Sequence, residues 1–165
     1  MLEEGLYLPT RARRKVTTGD VIVSSIEGSL SSIALIESEY NQALCSTGFH
    51  VIKSEELKSE ELNSETLLVL LKSIVGQLQL NKGCSGTILT AISKDEFSKI
   101  VLPKIEEEKQ TQIQQKITES FTLRKQSKHL LECAKQAVEM AIEQDEQKAI
   151  NWLKNETNES LPRSP

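Results

Sequence analysis

Ser93-Lys-Asp-Glu-Phe-Ser-Lys-Ile-Val-Leu-Pro-Lys-Ile-Glu-Glu-Glu-Lys-Gln110 is the stretch that decides the fold. Ser93 followed by Glu96 is a capping box, which predicts a single short helix. Ile100-Val-Leu predicts a strand ending at Pro103. Glu106, Glu107 and Glu108 then predict the start of a second helix, because carboxylates are favoured at the positive end of a helix dipole. Beyond Pro103 there is no glycine or proline before Pro162, and all seven glycines precede it. A compact mixed segment is therefore expected to run into one very long helix.

Downstream, the helical pattern holds from about Glu106 to about Leu153. Roughly 48 residues at about 1.5 Å each make a rod of about 70 Å. Apolar residues recur at Ile113, Ile117, Phe121, Leu131, Ala134, Val138, Ala141 and Ile142, a heptad-like stripe with a polar interruption from Arg124 to Lys128. A lone helix would leave that stripe in water, so Ile113, Ile117, Phe121, Leu131, Val138 and Ile142 are expected to meet a partner helix. Asn155 to Pro165 is expected to be a disordered tail.

Upstream, a turn at Gly19-Asp20 followed by Val21-Ile-Val-Ser predicts a strand. Glu27-Gly28-Ser29 predicts a turn, and Ile33 to Ile36 a second strand. Asn41 to Gly48 reads as loop, and Phe49 to Ile52 as a third strand. Leu67, Leu70, Leu71, Ile74 and Leu78 have helical spacing and predict one helix from Ser64 to Leu80. Asn63 or Ser64 can cap its start, and Gly83 follows its end. Gly83 to Gly86 reads as loop, and Ile88 to Ile92 as a strand. The expected fold class is α+β, a small mixed-sheet domain over 1–102 followed by one long coiled-coil-forming helix over 103–154 and a tail over 155–165.

The net charge is −4. Before Pro103 there are 10 basic and 13 acidic residues, and from it onward 10 and 11. Neither part offers a general electrostatic affinity for nucleic acid, but a local patch is possible. The densest cationic cluster is Arg11, Arg13, Arg14 and Lys15, equally readable as a solvated segment. Gly83-Cys-Ser-Gly-Thr87, flanked by Lys82, could offer Ser85, Thr87 and backbone amides to phosphate; a helix-to-strand turn explains the same residues. The spacing of a phosphate-cradling P-loop is absent. Ser24 and Ser25 could face a ligand, or simply make turn contacts.

Cys45, Cys84 and Cys133 are odd in number and widely spaced, which with the N-terminal text suggests a reducing, cytoplasmic setting. The Cys and His spacings match no zinc pattern, so no metal and no cofactor are expected. A Cys45–His50 pair lacks an orienting third group and an oxyanion loop, so catalysis is not expected.

Gly86 to Gln110 resembles the end of a target recognition domain from the specificity subunit of type I restriction–modification systems. That family runs from a small-residue loop through a strand, a short Ser-x-x-Asp/Glu helix and an Ile-x-x-Pro segment into a long helix that begins with acidic residues and Gln. Thr18-Gly-Asp-Val-Ile-Val-Ser, Ile33-Ala-Leu-Ile, Ala43-Leu-Cys-Ser-Thr-Gly-Phe and Leu68 to Leu80 resemble its upstream segments in the same order. The likeness covers roughly Val16 to Ile150.

It implies a non-catalytic subunit that reads one half of a bipartite duplex DNA sequence and docks an adenine-specific methyltransferase subunit and an endonuclease subunit. Under that reading the candidate DNA contacts are Lys82, Ser85, Thr87, Arg11, Arg13, Arg14, Lys15, Ser24 and Ser25. The long helix would pair antiparallel with another, here in a homodimer. The chain has room for one recognition domain where the family carries two, and little precedes Val16. Lys104-Ile105-Glu106 stands where the family has a second proline. A half-subunit or a fragment is implied. The alternative is a coiled-coil scaffold without DNA binding.

Overall fold

The computed structural model describes residues 10–57, 61–86 and 90–160, with side chains to 157. The chain divides into two units, Met1–Gln114 and Gln115–Pro165.

Among the described residues of the first unit the strands form three small sheets. β1 (Ala12–Lys15) pairs antiparallel with β4 (Leu44–Ser46), and β2 (Val21–Ser24) lies between β3 (Ile33–Leu35) and β5 (Phe49–Ile52). The third sheet is the ribbon β6 (Cys84–Ser85) with β7 (Ala91–Ile92). β2 is the apolar centre: Val21 and Val23 are fully buried. α1 (Ser64–Lys72) lies against β2 and β3 and buries Leu67, Leu68 and Leu71.

β2, β3 and β5 fall where alternation places them, and Gly19 makes the expected turn with φ 89°. β1 and β4 lie where a solvated segment and a loop were expected. Each is only three or four residues long, and a bulge at Arg13 breaks the alternation of β1.

The helix expected from Ser64 to Leu80 is two helices, α1 and α2 (Ile74–Lys82). Ser73 ends the first in an extended conformation, donates its hydroxyl to the Leu70 carbonyl at 2.6 Å and accepts from the Gly76 amide at 3.2 Å. A serine that bonds locally offers the backbone an exit from the helix. The bend rotates the stripe, so Ile74 and Leu78 face solvent while Leu80 is buried. Asn63 caps α1, accepting from Thr66 N at 2.8 Å.

The N-cap half of the capping box holds: Ser93 Oγ accepts from Glu96 N at 3.2 Å and opens α3 (Lys94–Phe97), while the Glu96 carboxylate pairs with Lys99. Ile100 to Pro103 is not a strand. The Gln79 side-chain amide takes the place of a neighbouring strand there, donating to Val101 O and accepting from Val101 N, both at 2.9 Å. Of the strand expected at Ile88–Ile92, 88 and 89 lie outside the described residues, and Ala91–Ile92 form β7.

α4 (Glu107–Glu143) starts in the first unit, anchored by buried Gln110. Its amide donates to Glu61 O (3.1 Å) and Ile105 O (3.0 Å) and accepts from Asn63 N (2.8 Å). One side chain thereby joins the first turns of α1 and α4.

In the second unit the expected single helix is broken at Gln144–Asp145. Asp145 Oδ1 accepts from Lys148 N at 3.0 Å and caps α5 (Glu146–Ser160). Cys133, Ala137 and Ala149 are buried, while Leu130, Met140, Trp152 and Leu153 are half-buried. Small residues at heptad spacing let two helices approach closely. α5 therefore returns along the C-terminal half of α4 as a hairpin. Residues 155–160, expected to be disordered, belong to α5; 161–165 lie outside the described residues.

The hairpin uses a different face of α4 from the one the stripe predicted. Leu131, Val138 and Ile142 are 59%, 60% and 81% exposed, whereas Ile113, Ile117 and Phe121 are half-buried.

Candidate nucleic-acid interface

The β1–β4 ribbon projects cations in water. Arg11, Arg13, Arg14 and Lys15 are all exposed. Arg13 Nε donates to Thr10 O at 2.6 Å, and an Arg14 guanidinium nitrogen donates to Phe49 O. These bonds to carbonyls fix the side chains without neutralising their charge.

Arg14 and Lys15 line a cleft of about 410 Å³ with His50, Val51, Lys53, Lys94 and Phe97. Four of those seven side chains are cationic. Lys53 is placed from below: its Nζ bonds Asp20 Oδ2 at 2.7 Å and Lys15 O at 3.0 Å. Asp20 is fully buried and also accepts from Thr17 N (2.8 Å) and Ser54 N (3.0 Å). Burial pushes its pKa up, but the Lys53 ammonium and the two amides outweigh that and hold it below the ordinary value.

His50 stacks on Phe97, with ring centroids 4.5 Å apart and planes at 16°. Its Nε2 lies 3.0 Å from Ile92 O, so Nε2 carries the proton and donates. Burial lowers its pKa; the bond to Ile92 opposes this, while Arg14 and Lys94 add to it. The ring is thus neutral, an apolar plate among cations. It is not paired with Cys45, whose thiol burial pushes up, as burial does for Cys84.

The expected site residues separate. Arg14 and Lys15 enter the cleft, and Arg11 and Arg13 lie on the same ribbon. Lys82 and Ser85 are exposed at the end of α2 and on β6, and do not line the cleft. Thr87 lies outside the described residues. Ser24 corrects the expectation of a ligand contact: it is buried, and its hydroxyl lies 2.7 Å from Ser29 Oγ. Ser25 donates its hydroxyl to Gly48 O at 2.9 Å.

Lys53, Lys94, His50 and Phe97 were not singled out for this role. Lys94 had a readable signal, since it directly follows the Ser93 cap. Lys53 and His50 reach the cleft only through pairing of β5 with β2.

Fold and site together define a small mixed-sheet domain with an exposed cationic ribbon and cleft, continued by a long helix. Sequence comparison gives no matching protein-family model and no matching curated relative. Structure comparison does match. The chain is similar to the HsdS subunit from Thermoanaerobacter tengcongensis at 27% identity and TM-score 0.57, over 84% of this chain and 34% of that one. A second structure, described as showing complex assembly and conformational transition of the type I R-M system, shares the fold at 24% identity and TM-score 0.56, with the same two coverages. The chain thus has the fold of a type I specificity subunit and spans about one third of that subunit's length. No described helix is long and apolar enough to cross a membrane.

Proposed function

We propose that this chain is a non-catalytic DNA-recognition module of a type I restriction–modification complex. The likeness to HsdS, over most of this chain, carries the reading. The cationic ribbon supports it independently of fold, because a two-stranded ribbon fits the DNA major groove. Arg11, Arg13 and Lys94 would meet phosphates and fix register, while neighbouring side chains on β1 and β4 would read base edges. The chain's negative net charge limits binding elsewhere on its surface.

The partners in this reading are duplex DNA, an adenine-specific methyltransferase subunit and an endonuclease subunit. The exposed residues Leu131, Val138 and Ile142 on α4 suit a second copy of the chain. A two-fold dimer would display two identical domains and favour an inverted-repeat target.

The test mixes the full chain, the cognate methyltransferase subunit and a fluorescent duplex, and follows anisotropy as salt is raised. A ternary complex is expected. Lys94→Ala should weaken binding across sequences and reduce the salt slope by about one. Failure to bind either the methyltransferase or DNA would overturn the proposal. Self-association alone would leave a coiled-coil scaffold.

A further inference from the structure

His129 and Cys133 stand one turn apart on α4, and α5 brings Glu156 to them. One ligand atom from each, an imidazole nitrogen, the thiol sulfur and a carboxylate oxygen, lie within 4.8 Å of one another. Cys133 Sγ is 3.6 Å from His129 Nε2. Zinc bonds of about 2.3 Å to sulfur and about 2.0–2.1 Å to nitrogen, at the tetrahedral angle, put those two ligand atoms about 3.6 Å apart. The pair is thus already spaced for one ion. The carboxylate, on three rotatable bonds, is the ligand that must close in.

We propose that His129, Cys133 and Glu156 bind a divalent zinc ion that clips α5 to α4. A thiolate, an imidazole and a carboxylate form a borderline-soft donor set that suits zinc better than magnesium or calcium. Cys133 is only 4% exposed, His129 is exposed and Glu156 is half-buried. The sulfur is thus shielded while the imidazole side stays open to entry, and water completes the fourth position. Binding replaces the thiol proton, which leaves to solvent.

The spacings in sequence give no zinc pattern because the third ligand lies on the far arm of the hairpin. The hairpin seam gives the ion a purpose. The seam's buried residues, Cys133, Ala137 and Ala149, are all small, and the larger Leu130, Met140, Trp152 and Leu153 are only half-buried, so a cross-link between the arms adds what packing lacks. The site shares no residue with the cationic cleft, and the clip does not depend on the DNA-recognition reading.

The test uses the tag-free full chain with Cys45→Ser and Cys84→Ser, so that Cys133 is its sole thiol. Cobalt(II) is titrated first and zinc(II) second. One equivalent of cobalt should produce a thiolate-to-cobalt charge-transfer band, which zinc abolishes. Emission of Trp152, one turn from Glu156, should change at the same equivalence point. Cys133→Ala keeps a small residue in the seam and should remove the band. His129→Ala alters only an exposed residue, so it tests the site without touching the seam. It should weaken zinc binding by about 100-fold or more, since loss of a direct ligand exceeds the 10–100-fold cost of disturbing groups behind one. Absence of the band, or a zinc affinity unchanged in His129→Ala, would overturn the proposal.

Discussion

Asp20 is the residue on which the cleft rests. Its carboxylate accepts two backbone amides and the Lys53 ammonium, with no exposure to water. Asp20→Ala should lower stability by about 2–4 kcal/mol, measured by denaturant unfolding, because two buried amides and a cation lose their partner. Since folding lowers the Asp20 pKa, its stabilisation is complete above the unfolded value of about 3.9 and is lost as pH falls through the lower folded value. His50 has the same sign. Its folded pKa is also lowered, so its contribution is present above about pH 6.5 and fades as pH drops through the folded value. An NMR titration should place the His50 midpoint below 6.5; a midpoint above it would contradict a neutral ring in this cleft.

At the scale of elements, legibility followed length and alternation. β2 and β5 were readable because Val21-Ile-Val and Phe49-His-Val-Ile are apolar runs bounded by turns. β1 was not, because its residues are almost all charged and its partner has three residues. The bend between α1 and α2 escaped because Ser73 sits in an unbroken apolar period. Gly76 was a clue, though glycine in a helix often means nothing. Here a Cβ would lie 2.3 Å from Leu70 O and 2.7 Å from Leu71 O. Gly76→Ala should therefore destabilise by at least about 1–3 kcal/mol despite its better helix propensity, as a thermal melt by circular dichroism would show. The cleft was half legible: the Arg11–Lys15 cluster was visible in sequence, but Lys53 and His50 depend on sheet register.

For the whole molecule, the two units have unequal cores. The first buries Val21, Val23, Leu30, Leu67, Leu71 and Leu80; the second buries Cys133, Ala137 and Ala149. Trp152, the sole tryptophan, belongs to the second. Without a partner or metal, its fluorescence should report melting at a lower temperature than the β-sheet signal does. Coincident transitions would mean the second unit is stabilised by more than its own seam. Leu131→Glu combined with Ile142→Glu should lower the sedimentation mass of any dimer and leave the β-sheet transition unmoved. A dimer that survives the pair would assign self-association to another surface.

Gln79 gives the first unit a chemical weak point. Among the described residues the segment before Pro103 has no strand beside it, and one amide group holds it at both Val101 bonds. Hydrolysis of that amide to a carboxylate, or Gln79→Glu, keeps the acceptor but turns the donor into a second acceptor facing Val101 O. Two oxygens then oppose each other, and the segment carrying exposed Lys104 should peel away. Trypsin would report this as faster cleavage after Lys104, severing the compact domain from most of its helix: ageing at a single glutamine would divide the chain in two.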